Sequence, residues 1–257
     1  MPVSKQIALK QGRADLITAT NVFAHVDDVS TFMLAALNLL KSTGLLVLEF
    51  PYLIDLIRLA EFDTIYFEHL SYFSLLPLRH LCQATGMRLI DAEKQEIHGG
   101  SLRVTLAPNG APWPTHPRVD LLLASERALG IHKLAWYTDY AEQVQDKVAA
   151  FANQLSGLKT EGKTIAAFAA SAKGNTLLNI AGIGPNIIDY IIDETPEKIG
   201  RFSPGTGIPI VHKQTLLQSP PDYLVILSWN FADEIMEKLK PIYHGQYIIP
   251  TEPRRPT

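Results

Sequence analysis

Four prolines, Pro108, Pro112, Pro114 and Pro117, fall within ten residues. Each lacks an amide hydrogen and fixes its own φ, so neither a helix nor an inner strand can run through such a stretch. They divide the 257 residues into two runs. In both runs short apolar segments alternate with helical patterns, the rhythm of α/β units built on parallel strands.

Ahead of the prolines, residues 15–20 read as a strand and 29–40 as a helix, with Phe32, Ala36, Leu39 and Leu40 on one stripe. Ser42, Thr43 and Gly44 suggest a turn into the apolar run 45–50, expected to be a parallel strand covered on both faces. A helix over 77–85 should stop at Gly86, and strands over 88–93 and 102–106 follow. Beyond the prolines, Tyr137, Tyr140, Val144, Val148, Phe151, Leu155 and Leu158 predict one long amphipathic helix. Alternation resumes with strands over 164–169, 187–193, 208–211, 223–227 and 246–249, and helices over 175–181 and 233–240. The expected division is a first domain over 1–109, a linker and long helix over 110–160, and a second domain over 161–257.

The single cysteine, Cys82, leaves no internal disulfide and no cysteine cluster for zinc or another metal. A net charge of −3 argues against a nucleic-acid partner. No apolar run reaches membrane-spanning length and the N-terminus has no signal-peptide core, so a cytoplasmic protein without a membrane partner is expected.

Two segments carry chemistry. In the first, Tyr66, Glu68 and His69 set a phenol, a carboxylate and an imidazole within four residues, among aromatics able to exclude water. Taking a proton from carbon beside a carbonyl needs such a base next to a stabiliser of the oxyanion. An imidazole with its ordinary pKa of ~6.5 is largely neutral near pH 7, which suits His69 as the base. A packed aromatic loop with an exposed Glu–His pair is the structural alternative. The second segment is Ser171, Ala172, Lys173, Gly174, Asn175 and Thr176, directly after a strand and opening a helix. Its backbone amides, two hydroxyls and ammonium group would face an anion, with the glycine permitting close approach; a capped helix with an exposed lysine is the alternative. Asp193, at the end of the next strand, is a candidate for a ribose hydroxyl. Arg201, in a basic turn-rich stretch, and Trp229 with Asn230 after a further strand complete a nucleotide-binding set. Neither the dinucleotide glycine fingerprint nor a P-loop is present.

Five stretches together resemble the sugar C-methyltransferases. They are Ala-Thr-Asn-Val-Phe-Ala-His-Val at 19–26, Asp-Thr-Ile-Tyr-Phe-Glu-His-Leu-Ser-Tyr-Phe-Ser at 63–74, His-Gly-Gly-Ser-Leu-Arg at 98–103, Ala-Ser-Ala-Lys-Gly-Asn-Thr at 170–176, and Ser-Trp-Asn-Phe-Ala at 228–232. That family methylates a carbon of a nucleotide-linked ketosugar with S-adenosylmethionine. The resemblance implies part of a class I, Rossmann-like methyltransferase sheet followed by a second Rossmann-like α/β domain. It assigns Tyr66, Glu68, His69 and His25 to catalysis and Asn21 to the cofactor. Arg103, directly after the His-Gly-Gly-Ser loop, is a candidate substrate contact, with a structural salt bridge as the alternative. The ligand the resemblance implies for the second domain is a nucleotide sugar, with dTDP the expected nucleotide. Phe67 departs from the pattern, since relatives commonly carry a second histidine there.

Members of the family begin with a cysteine-rich zinc module, then a strand and a Gly-rich loop at the methionine end of the cofactor. Only residues 1–13 precede the first strand here, and Gly12 is the only glycine before Gly44. The expectation is a C-terminal portion with an incomplete cofactor site, prone to self-association and inactive alone. A non-catalytic nucleotide-sugar module or subunit is the second reading. An NAD-dependent oxidoreductase is the third, and the missing fingerprint counts against it.

Overall fold

The computed structural model describes residues 3–96 and 100–250. The chain forms two compact units: the first comprises residues 1–59 and 67–139, the second residues 60–66 and 140–257. Among the described residues no helix is long and apolar enough to cross a membrane.

In the first unit the order is α1 (Val3–Gln11), β1 (Ala14–Thr20), α2 (Val29–Leu39), β2 (Leu40–Pro51), α3 (Leu53–Leu59), α4 (Leu75–Ala84), β3 (Met87–Gln95), β4 (Ser101–Pro108) and α5 (Arg118–Leu129). The sheet runs β1-β2-β4-β3, with β1 parallel to β2 and the other pairings antiparallel. Leu46, Leu48 and Phe50 of β2 alternate into the core beside Leu102, Val104 and Leu106 of β4. The other face of β2 is only half covered, so the run 45–50 is not the doubly buried strand its composition suggests. The expected turn at Ser42–Gly44 is instead a break in register inside one strand. Ala14 pairs with Leu40 and Leu16 with Leu45, and the residues between loop out.

Helix α4 begins two residues before the position read from sequence. The carboxylate of Glu126, on α5, accepts hydrogen bonds from the amides of Leu75 (2.7 Å) and Leu76 (2.8 Å) and from the Tyr52 hydroxyl (2.8 Å). It satisfies first-turn amides that lack intrahelical partners. The helix ends at Thr85, after which Gly86 takes φ +78°.

Helix α6 (Leu134–Thr160) carries the chain from one unit to the next. The second unit then builds β5 (Ile165–Phe168), α7 (Ala172–Ile180), β6 (Ile191–Ile192), β7 (Ile210–Val211), α8 (Thr215–Gln218), β8 (Tyr223–Ile226), α9 (Ala232–Leu239) and β9 (Gln246–Ile248). All five strands are parallel, in the order β7-β6-β5-β8-β9. One face packs on α6 and α7 through Leu155, Leu177 and Leu178, the other on Leu216, Ala232 and Leu239. The strand expected over 187–193 shortens to two residues, because a turn closed by the Ile187 and Ile188 amides on the Gly184 carbonyl occupies its start. The segment 60–66 joins this unit through Phe62, which is 4% exposed within the α6–α7 core.

Candidate active site

The first cluster lies at the carboxyl end of β1, where ligands of open α/β sheets bind. Asn21 follows the strand in the left-handed region, at φ +54°, with its amide donating to the Glu49 carbonyl at 2.9 Å. A 3-10 turn, Phe23–His25, comes next. Phe23 is fully buried and stacks on Phe73 at 4.4 Å between ring centroids, which fixes the turn. The carbonyl of Ala24 accepts from the amides of Leu70 (2.9 Å) and Ser71 (3.2 Å). These bonds bring His25 and His69 together, with ring centroids 4.8 Å apart and planes at 65°. His69 is half-buried, whereas His25 and Glu68 are exposed. Of the aromatics in this stretch, Phe73 is buried and Tyr66 and Tyr72 are half-buried, whereas Phe67 is 87% exposed and cannot shield the pair from water.

Glu49, buried at the end of β2, pairs with Arg103 through contacts of 2.7 Å to both Nε and Nη2. The ion-pair alternative for Arg103 is therefore realised. His98 and Gly99 of the glycine-rich motif lie outside the described residues. The boundary between units falls between Tyr66 and Phe67, so Tyr66 belongs to the second unit and Glu68 and His69 to the first.

The second cluster lies at the carboxyl ends of β5, β6 and β8. Ser171 caps α7, its hydroxyl accepting from the Gly174 amide at 3.1 Å. The Thr176 hydroxyl donates to the Ala172 carbonyl at 3.1 Å. Both hydroxyls expected to face an anion thus also serve the helix, Ser171 as an acceptor and Thr176 as a donor. Gly174 also has a packing role: an added Cβ would sit 2.6 Å from Leu227 Cβ, so the glycine lets α7 approach the end of β8. Asn175 is half-buried, and its Oδ1 has no hydrogen-bond partner among the described residues.

Asp193 accepts from the amides of Ala170 and Thr195, both at 2.8 Å, and from Lys198 Nζ at 3.2 Å. Burial works to raise its pKa, but the bonds from Thr195 and Lys198 prevail and hold the carboxyl below its ordinary value. Lys198 also donates to the Ala170 carbonyl at 2.8 Å. Together they pin the turn that opens α7, where Ala169 sits at φ +73°. Arg201 is exposed, with no ion pair among the described residues. Trp229 is only 4% exposed, and Asn230 beside it is half-buried. The Lys173 ammonium lies 4.9 Å from the Trp229 ring centroid, and the indole Nε1–H donates to Asp63 Oδ2 at 2.5 Å. Asp63 opens the 63–74 stretch, but no role is assigned to it from the sequence.

Comparison with known proteins supplies the family. A methyltransferase domain profile matches residues 3–92, and a profile described as the C-methyltransferase C-terminal domain matches residues 96–251. The chain is similar to the C-methyltransferase NovU of Streptomyces niveus, with 36% identity over 255 residues. That alignment takes in 98% of this chain and 61% of the relative, so the chain spans less than two thirds of its length. The C-terminal profile alone covers more than half of the residues, and the chain belongs to the C-methyltransferase family.

Proposed function

We propose that the chain acts in methylating the carbon alpha to the ketone of a nucleotide-linked deoxysugar, with dTDP as the nucleotide. The observation that carries this reading is the His25–His69 pair, set against the Asn21 turn at the carboxyl end of β1. His69 takes the proton from the carbon. The C–H electron pair passes into an enolate whose charge rests on the ketone oxygen, and that carbon then forms the new bond to the methyl group. Glu68 and His25 orient the base or receive its proton, and Tyr66 serves the enolate oxygen.

When bound, S-adenosylmethionine supplies an electrophilic methyl group and departs as the neutral thioether. Asn21 fits a role in holding it, because its carboxamide offers both a donor and an acceptor and the residue is exposed at the ligand end of β1. Glu49 fits less well, since its carboxylate is committed to Arg103. In the second unit, Lys173 and the first turn of α7 receive the phosphates, with Ser171, Gly174, Asn175 and Thr176 shaping that turn. Arg201 is free to reach the nucleotide. Asp193 and Trp229 serve the site by holding its backbone and Lys173 in place rather than by direct contact.

Exchange of the carbon-bound hydrogen alpha to the ketone with D2O, followed by NMR on a dTDP-linked ketodeoxysugar, reads deprotonation without the cofactor. His69→Gln should slow it by roughly 10²–10⁴-fold, the usual worth of a general base, while dTDP binding persists. Near-normal exchange in that variant moves the base to His25 or Glu68. Exposed Leu16 on the edge strand β1 supports a further part of the proposal, that copies of the chain associate through this edge.

A further inference from the structure

Trp229 and Asp63 stand 166 residues apart in sequence, yet form a buried hydrogen bond inside the second unit. Asp63 is 2% exposed, and its Oδ1 has no hydrogen-bond partner among the described residues. A buried carboxylate joined to one indole is a costly arrangement for stability alone, because the group loses its hydration for few bonds. It is explained if it sets the position of something nearby.

Asp63 lies in a 3-10 turn, Phe62–Thr64, closed by the Thr64 amide on the Glu61 carbonyl (3.3 Å) and the Ile65 amide on the Phe62 carbonyl (2.9 Å). Phe62 anchors one side of the turn in the core, and the Trp229 bond fixes the other. Tyr66 follows directly. The same indole carries the Lys173 ammonium over its ring, a contact in which the cation is drawn to the π face. One side chain thus fixes both the turn that delivers Tyr66 and the lysine at the start of α7.

We infer that Asp63 and Trp229 are positioning residues that hold Tyr66 in register with the Lys173 end of α7. The inference rests on the proposed roles of Tyr66 and Lys173. Neither Asp63 nor the Trp229 indole nitrogen touches substrate; both act through Tyr66.

The test uses the full chain with Asp63→Ala, Asp63→Asn, Trp229→Phe and the Asp63→Ala/Trp229→Phe double variant. Three quantities are measured: deuterium exchange alpha to the ketone of a dTDP-linked ketodeoxysugar, the dissociation constant for dTDP, and amide hydrogen exchange at Thr64 and Ile65. Asp63→Ala should slow alpha exchange by about 10–100-fold, as a misplacement near 1 Å does. Its dTDP affinity should stay within roughly twofold of the parent, while the two amides exchange at least about tenfold faster as the turn opens. Asp63→Asn keeps an acceptor for the indole and should recover most of the rate. The double variant should be no slower than the slower single one, since both remove the same bond.

The inference is overturned if Asp63→Ala retains the parent rate, if Asp63→Asn is as impaired as Asp63→Ala, or if dTDP affinity falls in step with the rate. A parent chain that neither exchanges the substrate hydrogen nor binds dTDP defeats the functional proposal instead. In that case the amides decide alone, and unchanged protection at Thr64 and Ile65 in Asp63→Ala refutes the positioning role.

Discussion

Replacing Glu126 by alanine removes the acceptor for three buried donors at once, the Tyr52 hydroxyl and the amides of Leu75 and Leu76. Glu126 is fully buried, so bulk water cannot take its place. Each orphaned donor costs about 1–3 kcal/mol, and partial relaxation of the helix start brings the sum to about 3–5 kcal/mol. That is a large share of the ~5–15 kcal/mol that holds a domain folded. With a urea dependence of about 2 kcal/mol per molar, the midpoint of the first unit should fall by roughly 1.5–2.5 M. Two companion variants grade the effect. Tyr52→Phe removes one donor with its need and should cost only about 1 kcal/mol. Glu126→Gln keeps one acceptor oxygen but turns an NH2 toward the Leu76 amide, for about 1–2 kcal/mol. Burial and the neighbouring Glu126 charge push the Tyr52 phenol well above its ordinary pKa, so its hydroxyl stays a donor across the working pH range. Urea titrations followed by circular dichroism, with amide exchange of α4 locating the loss, make the measurement. A midpoint shift below about 0.5 M for Glu126→Ala would refute the reasoning, because three desolvated donors cannot then be what Glu126 satisfies.

Lys173→Ala should raise the dTDP dissociation constant by about tenfold or more, as expected for losing a charge-assisted contact, while calorimetry with S-adenosylmethionine stays unchanged; equal dTDP affinity would remove the lysine from the phosphate site. Asp193 has a lowered folded pKa, so its contribution to stability is complete above its unfolded value near 3.8 and fades as pH falls through the folded value. Asp193→Asn should therefore flatten the acid-side loss of melting temperature below about pH 4, and an unaltered pH profile would count against its role in pinning the α7 turn. Leu16, 56% exposed on the edge strand β1, should govern association; Leu16→Lys is expected to lower the mass measured by sedimentation, and a parent chain that is already monomeric overturns that expectation.

Local patterns carried the α/β rhythm and most element positions, because strand and helix periodicities are properties of adjacent residues. What escaped the sequence came from residues far apart. The start of α4 is set by Glu126, some fifty positions away. The break in β2 depends on how Leu40 and Leu45 meet β1, and the shortened β6 on a local turn that replaced its first half. Short motifs marked the positions of the candidate residues: the Ser171 stretch opens a helix, as its pattern predicts, and the motif residues His25 and His69 lie side by side. The commitments of their side chains were not legible. Nothing local indicates that Thr176 bonds back into its helix or that Gly174 yields to Leu227. Nor does anything local mark the indole of Trp229 as the partner of Asp63.

The second unit also has a consequence for the order of events during synthesis. Its core includes Phe62, made some eighty positions before Tyr140 opens the rest of that unit. A ribosome therefore releases the 60–66 segment early, and this piece waits without its native packing until α6, α7 and the loop bearing Trp229 have emerged. Completing the unit means closing a long chain loop, an entropic step that slows folding and leaves apolar surface open in the interval. A fragment cut at residue 140 would fold around a gap where Phe62 belongs, and its Trp229 indole would have no carboxylate to meet.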